Sequence, residues 1–275
     1  MEISDEEIRS LSVAIQKRYG VDFTCYEIKS LKRRIIRIIN LFKLNSIFEL
    51  WEKILKDPSF VEEFTNSISV GLTSMFRDPQ LWIYLKKYIR NFFESDKKNR
   101  MQVWHAGCST GEEVYSLGIL FNELDVQYKV HALATDINTD SLAHSKKGLY
   151  GKGFLEDYSK NYNQYNAISN FNKYYTLDNE GFQMNKDLIR HVEFKEHNLI
   201  TSKYEGKYDI IFCRNVMIYF DNNAKSEILK KFHDILNDDG ILIIGFFDSF
   251  MPFVKDKLFE YSDTDVRVLK KVPIR

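Results

Sequence analysis

The 275-residue sequence predicts an α/β fold with a mainly parallel sheet, preceded by an all-helical N-terminal part. Three observations predict it. From residue 101 onward, short apolar runs at 101–106, 128–135, 192–199 and 208–213 alternate with helical patterns at 111–124, 138–147 and 222–236. Alternation at this spacing is the grammar of βαβ units. Before residue 75 the apolar spacing is helical throughout. Finally, 12 Gly and 4 Pro are too few for the turns of an all-β architecture.

The elements follow in order. Ser4 and Glu7 form a capping box ahead of Ile8, Leu11 and Ile15, which share one helical face. Over 28–42, Ile28, Leu31, Ile35, Ile38, Ile39 and Phe42 occupy one arc of a helix, and Lys29, Lys32, Arg33, Arg34 and Arg37 the other. Further helices are expected at 46–55 and 58–70. Asp78-Pro79 reads as an N-cap acceptor followed by Pro at the first helical position of a helix running to about Phe93. Polar residues 94–100 form a turn before the first strand. The closing runs at 241–247 and 266–272 have no clear helix between them, which predicts one antiparallel edge. Residues 149–190, rich in Tyr, Asn and Phe, break the alternation and read as an insertion on the sheet. A hairpin is expected there, with strands at 174–177 and 182–184 flanking a turn at Asp178-Asn179-Glu180-Gly181.

Composition removes several function classes. With 39 Lys+Arg against 39 Asp+Glu the formal charge is zero, unlike a protein whose whole surface grips nucleic acid. The acidic, polar start is unlike a signal peptide, and no run is long and apolar enough to span a membrane. Cys25, Cys108 and Cys213 read as free thiols of a reducing cytosol. The 6 histidines show no metal-ligand spacing.

The first βα junction, Gly107-Cys108-Ser109-Thr110-Gly111-Glu112-Glu113, places two glycines around a tight turn at a helix N-terminus, where a ligand can approach the backbone. The spacing is not the dinucleotide fingerprint, and Glu112 and Glu113 would repel a pyrophosphate. They suit a cationic ligand group such as an ammonium or a sulfonium, or else they are simply first-turn acids favoured by the helix dipole. Asp136, ending the second strand, stands where an acid accepts from ribose hydroxyls, near the usual spacing of about 20 residues. The other reading is a helix N-cap at Asp136 or Asn138. Glycine turn and acid together point to a nucleoside ligand, without separating NAD from S-adenosylmethionine. Arg214, after the apolar strand 209–213, needs a partner if buried; it either serves a ligand or bridges a carboxylate between sheet and loop.

Longer motifs run through these positions: Thr73-Ser74-Met75-Phe76-Arg77, Trp104 through Glu113 followed by Tyr115-Ser116-Leu117, Ala134-Thr135-Asp136-Ile137, Gly148-Leu149-Tyr150, Asn198-Leu199, and Phe212-Cys213-Arg214-Asn215-Val216-Met217-Ile218-Tyr219-Phe220. In identity and order they resemble the chemoreceptor glutamate methyltransferases of bacterial chemotaxis, the CheR family, over most of residues 70–245. The resemblance implies a Rossmann-like S-adenosylmethionine methyltransferase domain (99–275) carrying a small β-subdomain at 149–190. It also implies an all-α domain (1–75) and a linker helix (76–98). It assigns cofactor contacts to Thr73, Arg77, Glu113, Asp136, Asn198, Leu199, Arg214 and Asn215, with S-adenosyl-L-homocysteine as product. It sets Arg77 and Tyr219 beside the transferring methyl. A cytoplasmic monomer is expected, and the resemblance implies that its basic helix, through Lys29, Lys32, Arg33, Arg34 and Arg37, faces the acidic methylation region of a receptor's helical bundle. Without the resemblance, that helix fits a solvated face, RNA or an acidic protein; with it, the acidic protein is favoured over nucleic acid.

The implied reaction is methyl esterification of a glutamate. With an ordinary pKa of about 4.3 the acceptor is already ionised at neutral pH, so no strong base is needed. The chain departs from the family at Gly71, where Asn is usual, and at Gly245-Phe246-Phe247-Asp248, where Gly-His-Ser-Glu is usual. These departures imply one cofactor hydrogen bond fewer, and a lost imidazole and a shortened acid near the acceptor mouth. A nicotinamide oxidoreductase is disfavoured by the glycine spacing. The stronger rival is a CheR-like module that binds the cofactor or its product and regulates, or acts on, another partner.

Overall fold

A computed structural model describes residues 3–68, 73–95, 99–179, 181–248 and 258–273. Four helices come first: α1 (Asp5–Tyr19), α2 (Ile28–Leu41), α3 (Ile47–Lys56) and α4 (Phe60–Ile68). Ser4 and Glu7 form the expected capping box at α1. α2 starts under the Glu27 carboxylate, which accepts from Lys29 N and Ser30 N. Ile8, Leu11, Ile15, Leu31, Ile35, Ile38, Leu50 and Phe64 close a core belonging to these helices alone. Each such side chain contributes roughly 1.5–3 kcal/mol by leaving water.

α5 (Pro79–Glu94) then leads into the sheet domain. Pro79 opens it as expected, but Asp78 does not cap it. Asp78 has φ 57° and makes no cap bond; its carboxylate accepts from Arg214 instead. An Arg fork outcompetes a lone backbone N–H as donor because its bond is charge-assisted.

The alternation that follows is β1 (Met101–Ala106), α6 (Glu112–Glu123), β2 (Val130–Asp136), α7 (Thr139–Lys147) and, after the insertion, β6 (Val192–Glu196), β7 (Tyr208–Cys213), α9 (Asn222–Ile235) and β8 (Leu236–Ile244). Two further strands, β9 (Phe259–Asp263) and β10 (Val268–Lys271), close it. The 7-stranded order is β6-β2-β1-β7-β8-β10-β9. β6 through β8 are parallel. β10 runs antiparallel to β8, and β9 to β10. The antiparallel edge is therefore a hairpin, one strand more than the apolar pattern announced, because β9 alternates exposed polar residues with single apolar ones. Strand order reverses between β1 and β7, so the crevice outside their carboxyl ends is the topological switch point where such sheets bind ligands.

The insertion holds β3 (Leu149–Gly151), α8 (Leu155–Tyr165), β4 (Tyr175–Leu177) and β5 (Gly181–Met184), with strand order β3-β5-β4. The expected hairpin forms, although Glu180 of its turn lies outside the described residues. Helix α8 and strand β3 were not anticipated. Tyr158, Tyr162 and Tyr165 carry the helical spacing, and all three are buried. They fasten the insertion to α6, since Glu123 accepts from Tyr162 and Tyr165 at 2.7 Å and from Lys86 at 2.9 Å. Gly71 and residues 249–257 lie outside the described residues.

Candidate active site

At the carboxyl end of β1 the chain turns sharply. Gly107 and Gly111 both have positive φ, 87° and 93°. A Cβ on Gly107 would stand 2.5 Å from Val216 Cγ2, and one on Gly111 2.1 Å from Ser145 Oγ. Only glycine allows this approach. Between them Ser109 N donates to the Asp136 carboxylate at 2.8 Å. Asp136 also accepts from Asn138 N at 2.9 Å, while the α7 N-cap is Asn138 itself. The N-cap reading thus falls to Asn138, and Asp136 lines the cleft. Burial pushes its carboxyl up despite the two backbone donors.

The acid pair separates. Glu113 accepts from His105 Nδ1 at 2.8 Å and from Arg214 Nη1 at 3.1 Å. Burial alone would raise its carboxyl, but the hydrogen bond and charge of His105, with Arg214, hold it below the usual carboxylate range. Glu112 turns away and is buried against Thr110 Oγ1 and the Tyr158 hydroxyl. Desolvation pushes its carboxyl up. It steadies the insertion and does not line the cleft, because successive helical residues point about a quarter-turn apart.

Arg77 is delivered by an aromatic plug. Phe76, φ 50°, packs on Trp82, Tyr162 and Tyr165 with ring centroids 4.9–5.4 Å away. Its N–H reaches Ser116 Oγ at 2.8 Å. Arg214 bridges carboxylates, the second of its two anticipated readings: its Nη2 lies 2.6 Å from Asp78, and the residue lines the cleft. Past it, the backbone N–H groups of Asn215, Ile218 and Gly245 all donate to the Asp248 carboxylate at 2.7–3.1 Å. Asp248 is 2% exposed. The expectation of a shortened acid at the acceptor mouth is therefore corrected: Asp248 folds inward and ties the loop carrying Asn215 and Tyr219. Phe246 and Phe247 are exposed beside it.

These strands and loops surround a cleft. Thr73, Arg77, Glu113, Asp136, Asn198, Leu199, Arg214 and Asn215 all line it, as does Tyr219. Also lining it, and not anticipated as cofactor contacts, are Tyr26, Ser109, Ser141 and Phe220. The helical N-terminal part forms one wall. Tyr26 makes a β-bridge to Phe220, and Glu27 N donates to Tyr219 O at 2.9 Å.

The basic helix is not uniform. Lys29, Arg33 and Arg37, four residues apart, are exposed, while Lys32 is half-buried 3.8 Å from Asp5. Arg34 contradicts the outward reading: it is 7% exposed and lines the cleft, with its guanidinium carbon 3.7 Å from the Tyr219 ring centroid. Its position between Leu31 and Ile38 puts it on the edge of the buried arc, and a long guanidinium there can stack on an aromatic ring.

The cleft fits S-adenosylmethionine. Ser109 Oγ and Arg214 Nε are buried and find no protein partner among the described residues, the mark of donors awaiting a polar ligand. The glycine turn leaves backbone exposed to a nucleoside, and Asp136 stands at ribose-reading position.

The family described as "CheR methyltransferase, SAM binding domain" matches residues 71–268, and "CheR methyltransferase, all-alpha domain" matches residues 6–69. The Pseudomonas putida protein Cher3 is 33% identical over 94% of this chain and 98% of its own length. A Listeria innocua protein named chemotaxis protein methyltransferase is 30% identical over 84% of this chain and 85% of its own. An Escherichia coli protein of the same name is 30% identical over 90% and 86%. With both of its parts matched in order, and its cleft built on the glycine turn and Asp136, the chain belongs to the CheR methyltransferase family and carries that family's S-adenosylmethionine-binding domain.

Proposed function

We propose that this chain methylates glutamate side-chain carboxylates of chemoreceptors, forming glutamyl methyl esters in chemotaxis adaptation. The observation that carries this reading is the convergence of Arg77 and Tyr219 with Asp136, Glu113 and Arg214 on one cleft. The relatives named chemotaxis protein methyltransferase support it.

Asp136 would accept from the ribose hydroxyls. Glu113, kept ionised by His105 and Arg214, would hold the cofactor's ammonium. Thr73, Asn198, Leu199 and Asn215 would complete the cofactor's walls. Bound there, the cofactor would supply an electrophilic methyl carbon on a positively charged sulfur, transferable to an ionised carboxylate oxygen with a neutral thioether as the by-product. No proton has to move, so the protein's work is orientation, worth about 7–11 kcal/mol where it is complete. Arg77 and Tyr219 would hold the acceptor by hydrogen bonds. Lys29, Arg33 and Arg37 form an exposed cationic stripe that would steer an acidic helical bundle to the cleft. We read residues 1–75 as the helical domain, 76–98 as its linker and 99–275 as the methyltransferase domain, acting as a cytoplasmic monomer. No helix among the described residues is long and apolar enough to cross a membrane.

The test is transfer of labelled methyl to a helical receptor fragment bearing glutamate pairs, beside an unrelated protein and an RNA. Label released as methanol by mild base supports the reading. A base-stable product, or label on the RNA, refutes it.

A further inference from the structure

Arg34 is a cation without a carboxylate partner among the described residues. It is 7% exposed, Nη1 donates to Ile68 O, and its guanidinium carbon sits over the Tyr219 ring, 3.7 Å from the centroid. None of the cleft carboxylates is salt-bridged to it. Glu113 is engaged with His105 and Arg214, and Asp136 with two backbone N–H groups. A desolvated, uncompensated charge is costly, and its cost falls when an anion arrives. Arg34 lines the cleft beside Tyr219, at the end we assign to the acceptor.

We propose that Arg34 is the counter-ion of the acceptor carboxylate, and that it thereby selects glutamate over glutamine. This rests on the reading of the chain as a glutamate methyltransferase. The contact with the Tyr219 ring and the hydrogen bond to Ile68 O hold the guanidinium in place, and a held guanidinium can offer paired N–H donors to a carboxylate. A carboxamide of the same shape brings no charge and presents an NH2 to those donors. The direction of the kinetic effect follows from charge. The acceptor is anionic when bound and loses its charge as the ester forms. Most of that charge is still present at the transition state, so Arg34 stabilises the bound and transition states to nearly the same extent, and its removal raises KM and leaves kcat nearly unchanged.

The experiment pairs two receptor fragments, one with glutamate and one with glutamine at the acceptor position, with wild type, Arg34→Gln and Arg34→Lys. Calorimetry is run in the presence of S-adenosylhomocysteine, and methyl transfer is followed to the glutamate fragment. The wild type is expected to bind the glutamate fragment at least 10-fold more tightly than the glutamine fragment, from the usual strength of a hydrogen bond to a charged group. Arg34→Gln is expected to abolish that ratio and to raise KM about 20-fold, with kcat within about threefold. Arg34→Lys keeps the charge without the fork and should recover part of the ratio. Unchanged binding of S-adenosylhomocysteine shows that each variant is folded. If Arg34→Gln discriminates as the wild type does, the assignment fails while the methyltransferase reading stands. A wild type that transfers no methyl to the fragment removes both. A wild type that transfers methyl yet binds both fragments equally overturns Arg34 alone.

Discussion

Arg214 Nη2 lies 2.6 Å from the Asp78 carboxylate, and this pair joins the turn before α5 to the end of β7. The same guanidinium reaches Glu113 through Nη1 at 3.1 Å. One side chain thus sets the distance between the loop that carries Arg77 and the helix start that carries Glu113. Asp78 is half exposed, and the buried Arg214 keeps Glu113 as a second partner, so losing Asp78 costs only about 1 kcal/mol of stability. Asp78→Asn should leave the melting temperature nearly unchanged. It should weaken S-adenosylhomocysteine binding about fivefold through loosened placement of Arg214, read by calorimetry. A melting temperature that collapses would instead make Asp78 a structural residue.

Asp136→Asn exchanges an acceptor pair for one acceptor and one donor. Ser109 N and Asn138 N both point at this carboxylate, so one of them would face an NH2 group. Cofactor affinity should fall about 10- to 100-fold, from a lost charge-assisted bond and an unsatisfied donor. The measurement is calorimetry with S-adenosylhomocysteine. An affinity equal to wild type would remove Asp136 from the ribose site.

Glu113 makes a pH prediction. Its folded pKa lies below the ordinary 4.5, after His105 and Arg214 overcome burial. Its pairing therefore contributes stability that is complete above the unfolded value and is lost as pH falls through the folded one. Urea unfolding of Glu113→Gln should be less stable than wild type at pH 7. The difference should shrink progressively below about pH 4.5. Equal stabilities at neutral pH would mean that the ion pair offsets only its own desolvation.

Tyr219→Phe keeps the ring on which Arg34 stacks and removes only the hydroxyl. The expected result is a kcat lowered about 10-fold, the scale of one hydrogen bond realised at the transition state, with cofactor binding unchanged. Single-turnover methyl transfer reads it. Full turnover in this variant would confine Tyr219 to a packing role.

Asp248→Asn tests the inward acid. Three backbone donors share its two oxygens, so the amide leaves at least one donor opposed. A loss of about 2–3 kcal/mol in unfolding free energy is expected. Activity should fall with it, because Asn215 and Tyr219 lie on the loop it holds. A variant as stable and active as wild type would free that loop of the carboxylate.

Much of this was legible in residue order. The glycine turn, the acid ending β2, and the Phe212–Phe220 run are short local patterns whose geometry is set by neighbours in sequence. The strand–helix alternation is equally local, and so is the Ser4–Glu7 box. Helix α8 was hidden because its buried face is made of tyrosines, set in a stretch whose Asn and Tyr content reads as loop. Strand β9 was hidden because it lies at an edge, with one covered face and polar residues between.

By itself the sequence determined the fold class, the family and the cleft residues that lie in its motifs, because these depend on periodicity and on motifs a few residues long. Only the tertiary structure decided what each charge does. It separated Glu112 from Glu113, gave Asp78 to Arg214 instead of to its own helix, turned Asp248 inward, and took Arg34 out of the basic face and laid it on Tyr219. The physical reason is that a charged side chain's role is set by burial and by the partner it meets in space. Those partners come from elements distant in sequence, so no local pattern records them.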